Sequence, residues 1–431
     1  MKFKINLSNR PWQLILWAVL FGLLAAIILV QANPGTELPN RDYGFYAYIG
    51  KQIAKGQLPY RDVWESKPPA IFYLNAMALR IGRGSRWGIW LVEFGFLFAA
   101  ITASFFLLRK LWGTAPALFG ILIWLWGLDL TLQGGNFTEE YPLVFHFLAL
   151  ILFLKLIQSS GHRLSNWTLG LLLSISFLFR PNNAIVEAVV ILVFAARLLF
   201  LKKFRVFWTS AFWITLGFLL PILLTSAYFA YHGLFQEMFE ASILYNLTYS
   251  STELTATSPL IIGFATLELP AWIALIGYLL IVLRIKNYFG NPIFPLLIVL
   301  LLGMPAAVYL SDPAKRNYGH YFMNWLPFVA LLSAFAFHTF QHRLPRISKN
   351  IRLPATFAPF LSFIASLIFL LLSGRAATYQ KAFDRLINGP ERELRSPLSI
   401  YVENHTHPGE YVLFWATHPG ENFMSRRDAP Y

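Results

Sequence analysis

Trp12-Gln-Leu-Ile-Leu-Trp-Ala-Val-Leu-Phe-Gly-Leu-Leu-Ala-Ala-Ile-Ile-Leu-Val30 is an apolar run broken only by Gln13. As a helix it is about 28 Å long, close to the roughly 30 Å of a bilayer's hydrocarbon core. Similar runs recur along the chain. Only 13% of residues are charged and 57% are hydrophobic, against about 25% charged in an ordinary soluble domain. The chain therefore reads as an all-α polytopic membrane protein. About eleven spans are predicted, at 12–30, 87–108, 114–130, 141–157, 166–180, 183–201, 206–230, 261–283, 292–310, 321–340 and 354–373.

Lys2, Lys4 and Arg10 precede the first run, as in a signal peptide. The run is too long for one, and Gln31-Ala32-Asn33-Pro34 is a poor cleavage site, so an uncleaved first helix is expected. There is no cysteine, which excludes disulfides and thiolate metal sites. The net charge of +14 is explained by cationic loops rather than by nucleic acid. With a cytoplasmic N-terminus, alternate short loops carry Arg109-Lys110, His162-Arg163, Lys202-Lys203 with Arg205, Arg284 with Lys286, and Arg343, Arg346, Lys349 and Arg352. This is the positive-inside pattern of a plasma (inner) membrane protein. The opposite, extracytoplasmic face receives 31–86, 131–140, 231–260, 311–320 and everything after 373.

Pro69 to Ile81 is apolar but too short to cross, so it is expected as an interfacial helix in the first outer loop. That loop holds eight Lys or Arg residues, an excess that an anionic ligand would explain. Residues 1–373 form the expected transmembrane domain. Segment 374–431 reads as a small, incomplete extracytoplasmic piece, with helices at 376–388 and 392–405 and a strand at Glu410–Trp415. One strand cannot close a sheet. His405, His407 and His418 lie close in sequence but lack a second cluster, and no metal or other cofactor is predicted.

Four polar motifs fall on the outer face. In Asn40-Arg41-Asp42-Tyr43, Asp42 could cap a helix or take a proton from a hydroxyl at the membrane surface. Arg61 and Lys67 belong to a second motif that ends Lys67-Pro68-Pro69. The prolines stop one helix and open another, and the ammonium between them suits a lipid phosphate or simply snorkels. In the third, Thr138 could cap the following helix, with Glu139 and Glu140 in its first turn. Carboxylates so near lipid are costly, which favours a function. The fourth, Lys315-Arg316-Asn317-Tyr318-Gly319-His320-Tyr321, offers phosphate donors in Arg316, His320 and Tyr321. Arg180, before Pro181, breaks two apolar runs near the same face.

In this order, Asp42, Lys67-Pro68-Pro69, Glu139 and Arg316…His320-Tyr321…Pro327 resemble the polytopic glycosyltransferases of the GT-C superfamily. The likeness is to family 39 and its relatives, the branch of dolichyl-phosphate-mannose–protein mannosyltransferases and lipid A aminoarabinose transferases. It covers about residues 1–375. The resemblance implies a base or acceptor-orienting role for Asp42, a second acid at Glu139 or Glu140, and phosphate binding by Lys67. Tyr43 and Phe45 stand where relatives often carry an acid and an arginine. The expected partners are a polyprenyl-phosphate sugar donor, a protein, lipid or glycan acceptor, and membrane lipids. Two other classes compete: a transporter or lipid flippase, which would hold its charges inside spans, and a non-catalytic assembly protein that keeps the scaffold.

Overall fold

The computed structural model describes residues 11–159, 162–251, 257–341, 364–366, 369, 374–389, 392–414 and 419–430. The expected span 354–373 and the basic loop from Arg343 to Arg352 lie largely or wholly outside them, as do Lys2, Lys4, Arg10, Trp415 and His418.

The architecture is all-α, with no strand among the described residues. Helix α1 (Pro11–Ile28) ends in a 3-10 turn, and the long connection after it then forms α2 (Arg41–Ala54) and α3 (Ala70–Ile81). The bundle continues as α4 (Arg86–Trp112), α5 (Thr114–Thr131), α6 (Leu143–Gln158), α7 (Arg163–Phe179), α8 (Ile185–Phe200) and α9 (Phe204–Tyr231). Two short helices follow, α10 (Phe235–Phe239) and α11 (Tyr245–Ser251), and then α12 (Pro259–Arg284), α13 (Phe294–Ser311) and α14 (Leu326–Gln341). Beyond it lie α15 (Arg375–Asn388), α16 (Pro397–His405) and α17 (Pro419–Ser425).

Eight helices among the described residues are long and apolar enough to cross a membrane. Helices α6 and α7, with 16 and 17 residues, are shorter apolar elements, as is α3 with 12. At 1.5 Å per residue α3 reaches only about 18 Å, too short to cross a hydrocarbon core, and it packs on α2 and α4. The core is one continuous cluster of Leu, Ile, Val and aromatic side chains shared by α1, α4–α8 and α12–α14. Helices α7 and α9 approach through small residues. A Cβ on Gly170 would stand 1.9 Å from the Ile214 carbonyl oxygen, so the pair depends on glycine.

The C-terminal segment departs from expectation. Where a strand was predicted from Glu410, Tyr411 makes a single parallel bridge to Asp428, with Val412 N donating to the Asp428 carbonyl at 2.9 Å. The run Tyr411-Val412-Leu413-Phe414 has strand-forming side chains but meets no partner strand. The helix predicted at 392–405 starts only at Pro397, after Ser396 caps it.

The segment docks on α2 and on the start of α4. Arg86, 1% exposed, donates to the Glu393 carboxylate at 2.9 Å and to the Leu394 carbonyl at 2.6 Å. Helix α17 lies against α2, where a Cβ on Gly44 would meet the Gly420 Cα at 2.5 Å. Asp428 is held by Gln52 and by Lys55, at 2.8 and 2.6 Å.

Candidate functional site

Four chain segments, together with Arg180 and with Tyr245 and Asn246 of α11, line a cleft of about 480 Å³ at one end of the bundle. The first is α2. Asn40, not Asp42, is its cap: the Asn40 Oδ1 accepts from Tyr43 N at 2.7 Å, while its Nδ2 donates to the carbonyls of Gln133 and Gly135. The Asp42 carboxylate is thereby left open to the cleft, one third exposed, with His320 Nε2 at 4.0 Å.

The second segment is the turn before α3. Tyr60 donates its hydroxyl proton to the Lys67 carbonyl at 2.8 Å, fixing the chain ahead of Pro68-Pro69. The Lys67 ammonium enters the cleft 3.6 Å from the Glu65 carboxylate. Burial pulls its pKa down most, but Glu65 together with Tyr321 and Asp42 outweighs this and holds it above the ordinary lysine value, so the cation is kept.

The third segment joins α5 to α6. Gln133, Gly134, Gly135 and Asn136 all take positive φ, which turns the chain sharply back toward the cleft. A Cβ on Gly135 would fall 2.4 Å from Glu93 Oε1, so no larger residue fits. Thr138 does not cap α6, which begins at Leu143 after Pro142; its hydroxyl donates to Glu139 at 2.8 Å. Glu139, 1% exposed, pairs with Arg180 from the end of α7. Burial raises the Glu139 pKa, yet the Arg180 guanidinium, together with His320 and the Thr138 hydroxyl, more than offsets it and keeps the carboxyl below its usual value.

The fourth segment precedes α14. Its loop is organised by Asp312, whose fully buried carboxylate accepts from Arg316 N at 2.8 Å and Asn317 N at 2.6 Å. His320 stacks on Phe137, ring centroids 4.0 Å apart and planes 8° from parallel. The Arg180 guanidinium lies 3.9 Å from the centre of the Tyr321 ring.

Asp42, Lys67, Arg180, His320 and Tyr321 therefore line one cleft, and Glu139 stands behind Arg180. Three predicted site residues stand elsewhere. Glu140 turns away from the cleft into the bundle, where its carboxylate and that of Glu93 both accept from Asn136 N, at 3.0 and 2.6 Å. Arg61 is spent on its neighbour Asp62 at 2.8 Å beside a different groove. Arg316 contributes a backbone amide to the Asp312 turn and does not line the cleft.

Sequence reasoning also passed over residues that build the site. Glu65 pairs with Lys67, and its signal was a carboxylate two positions from a cation. Tyr46 lies one helical turn beyond Asp42 and lines the same wall. Asn183 donates to the Thr138 carbonyl at 2.8 Å and accepts from Asn324, a link that nothing in the local sequence announces. No group of three or more His, Asp or Glu side chains converges among the described residues.

Residues 3–380 match the family model described as "Putative competence-induced protein Ccs4 N-terminal domain". The chain belongs to that family. No curated protein sequence matches it. Among solved structures it is similar to ArnT from Cupriavidus metallidurans bound to undecaprenyl phosphate, at 13% identity and a TM-score of 0.62, covering 96% of this chain and 85% of that one. ArnT in the apo state aligns at 14% identity and a TM-score of 0.59, with the same coverage. The apo oligosaccharyltransferase of Archaeoglobus fulgidus aligns at 13% and 0.50, over 98% of this chain but only 64% of that one. What is shared at these identities is the fold, the polytopic GT-C fold.

Proposed function

We propose that this protein is a membrane glycosyltransferase that moves a sugar from a polyprenyl-phosphate donor to an acceptor hydroxyl at the extracytoplasmic face. The observation that carries the proposal is one open carboxylate, Asp42, sharing a cleft with two partly buried cations, Lys67 and Arg180. A polyprenyl phosphate is already a good leaving group, so no general acid is needed. The reaction needs a base at the acceptor and fixed positive charge at the departing phosphate.

Asp42 takes the acceptor's hydroxyl proton as its oxygen attacks the anomeric carbon. The bond from that carbon to the phosphate oxygen breaks, and the polyprenyl phosphate leaves with the electron pair. Lys67 and Arg180 stabilise its charge, Glu139 holds Arg180 in place, and His320 and Tyr321 close the wall beside it. A single displacement of this kind inverts the anomeric configuration. The common fold with ArnT, whose structure is bound to undecaprenyl phosphate, supports the lipid-phosphate donor. The ordered motifs support the family 39-like branch.

The pairing of Glu139 with Arg180 supports the crossing of both α6 and α7, since the chain leaves the cleft at one and returns at the other. With 354–373 this gives eleven spans, a transferase domain of 1–373, an outer C-terminal segment and a cytoplasmic N-terminus in the plasma membrane. A transporter reading draws on one observation, the fully buried His146–Glu187 pair at 3.0 Å between α6 and α8.

The test is transfer from a panel of polyprenyl-phosphate sugars by the purified protein, with the product's anomeric configuration read by NMR. Inverted product supports the mechanism. Retained configuration rules out the single displacement, and substrate movement across vesicles without transfer favours the transporter.

A further inference from the structure

At the opposite end of the bundle from the cleft lies a crevice of about 1250 Å³ between the ends of α6 and α8 and the segment Phe289–Ile298 that opens α13. Helix α6 leaves the cleft loop at Leu143 and brings Lys155 to the crevice. Helix α8 starts five residues after Arg180 and brings Arg197. The two ends of α6 are about 24 Å apart, so crevice and cleft are separate places.

The walls are mostly apolar, among them Ile157, Phe200, Phe289 and Ile298, and Phe200 is 87% exposed at the rim. Set into them are Lys155, Arg197 and His162. Arg197 Nε is buried with no hydrogen-bond partner, and its one hydrogen bond among the described residues runs from Nη2 to the Ile157 carbonyl at 3.4 Å. A buried guanidinium donor left open is costly, and its planar fork matches a phosphate. Segments 155–163, 197–205 and 284–293, which bound this face, hold eight Lys or Arg and no Asp or Glu.

We propose that this crevice binds one anionic glycerophospholipid, its phosphate held by Arg197 and Lys155 and an acyl chain laid along the apolar wall. A soluble anion would use the cations but leave the wall empty. A zwitterionic lipid would fill the wall but bring an ammonium to a face that carries only positive charge. An anionic lipid satisfies both, and the open Arg197 donor makes this a site rather than diffuse attraction to the membrane surface.

The test is native mass spectrometry of the full chain in detergent with added phosphatidylglycerol, phosphatidylcholine or inorganic phosphate. One phosphatidylglycerol is expected to bind at least about tenfold more tightly than phosphatidylcholine, whose ammonium meets only positive charge on this face, and inorganic phosphate should not displace it. Lys155→Gln with Arg197→Gln should weaken it by about tenfold, whereas Lys202→Gln with Lys203→Gln, an equal loss of charge on the same face, should not. Ile298→Trp, which fills the crevice and keeps every charge, should also lose the lipid. Equal binding of phosphatidylcholine, equal loss in both charge pairs, displacement by phosphate, or undiminished binding by Ile298→Trp would each overturn the proposal.

Discussion

Asn40 and Asp42 divide between them two tasks that either could perform. Asn40 satisfies the free amide of α2 and ties the helix to the Gln133–Gly135 turn, which leaves the Asp42 carboxylate unspent. Glu139 and Glu140 divide in the same way: one meets Arg180 and the other turns inward toward Glu93. Burial lifts the Glu140 pKa from 4.5 to about 8. A carboxyl so raised favours the folded state fully below about pH 4.5, and that stability is lost as pH climbs toward 8. The thermal midpoint of the wild type is therefore expected to fall over that interval. Glu140→Gln, which keeps an acceptor for Asn136 N, should flatten the decline; an unchanged pH profile would remove Glu140 from this role. The candidate residues were legible as chemical types next to spans, but their pairings were not. Glu139 meets Arg180 only because α6 and α7 form a hairpin, and no pattern within either motif encodes that contact.

Eight of the eleven expected spans were legible because a bilayer demands length and apolarity, and both are written in the sequence. The same criterion sets α3 apart, whose 12 residues are too few to cross. Elements outside the spans follow no such rule, and there the reading found α3 and α15 but missed others: the strand at 410 found no partner, and α17, with seven residues, gave no periodic signal. Close helix pairs depend on glycines that hydropathy does not flag. A Cβ at Gly217 would lie 2.0 Å from the Trp167 carbonyl oxygen, in contact with backbone that cannot swing aside. Gly217→Ala is expected to cost about 1–3 kcal/mol, read as a lower unfolding midpoint in detergent. Gly95→Ala on α4 serves as the control, because nothing lies within 4 Å of that Cβ position. Equal midpoints for the two variants would contradict the α7–α9 packing.

Across the whole molecule, charge is sorted by face. The cleft end gathers the carboxylates Asp42, Glu65 and Glu139 with their cations, whereas the loops at the far end bear Lys and Arg alone. Helix α9, 28 residues long, joins the two faces. The absence of native cysteine makes the orientation directly measurable. Gln236→Cys, beyond its cleft end, should react with an impermeant maleimide added outside intact cells, and Lys202→Cys should react only after lysis. The reverse pattern would invert the topology.

The central claim is that Asp42 acts on the acceptor while Lys67 and Arg180 hold the donor. Its most direct test is sugar transfer by Asp42→Asn measured beside binding of polyprenyl phosphate to the same preparation. The variant should bind the lipid as the wild type does and lose transfer by about 100-fold or more, the scale of a missing general base. Transfer at the wild-type rate, or lost lipid binding with turnover intact, would contradict it.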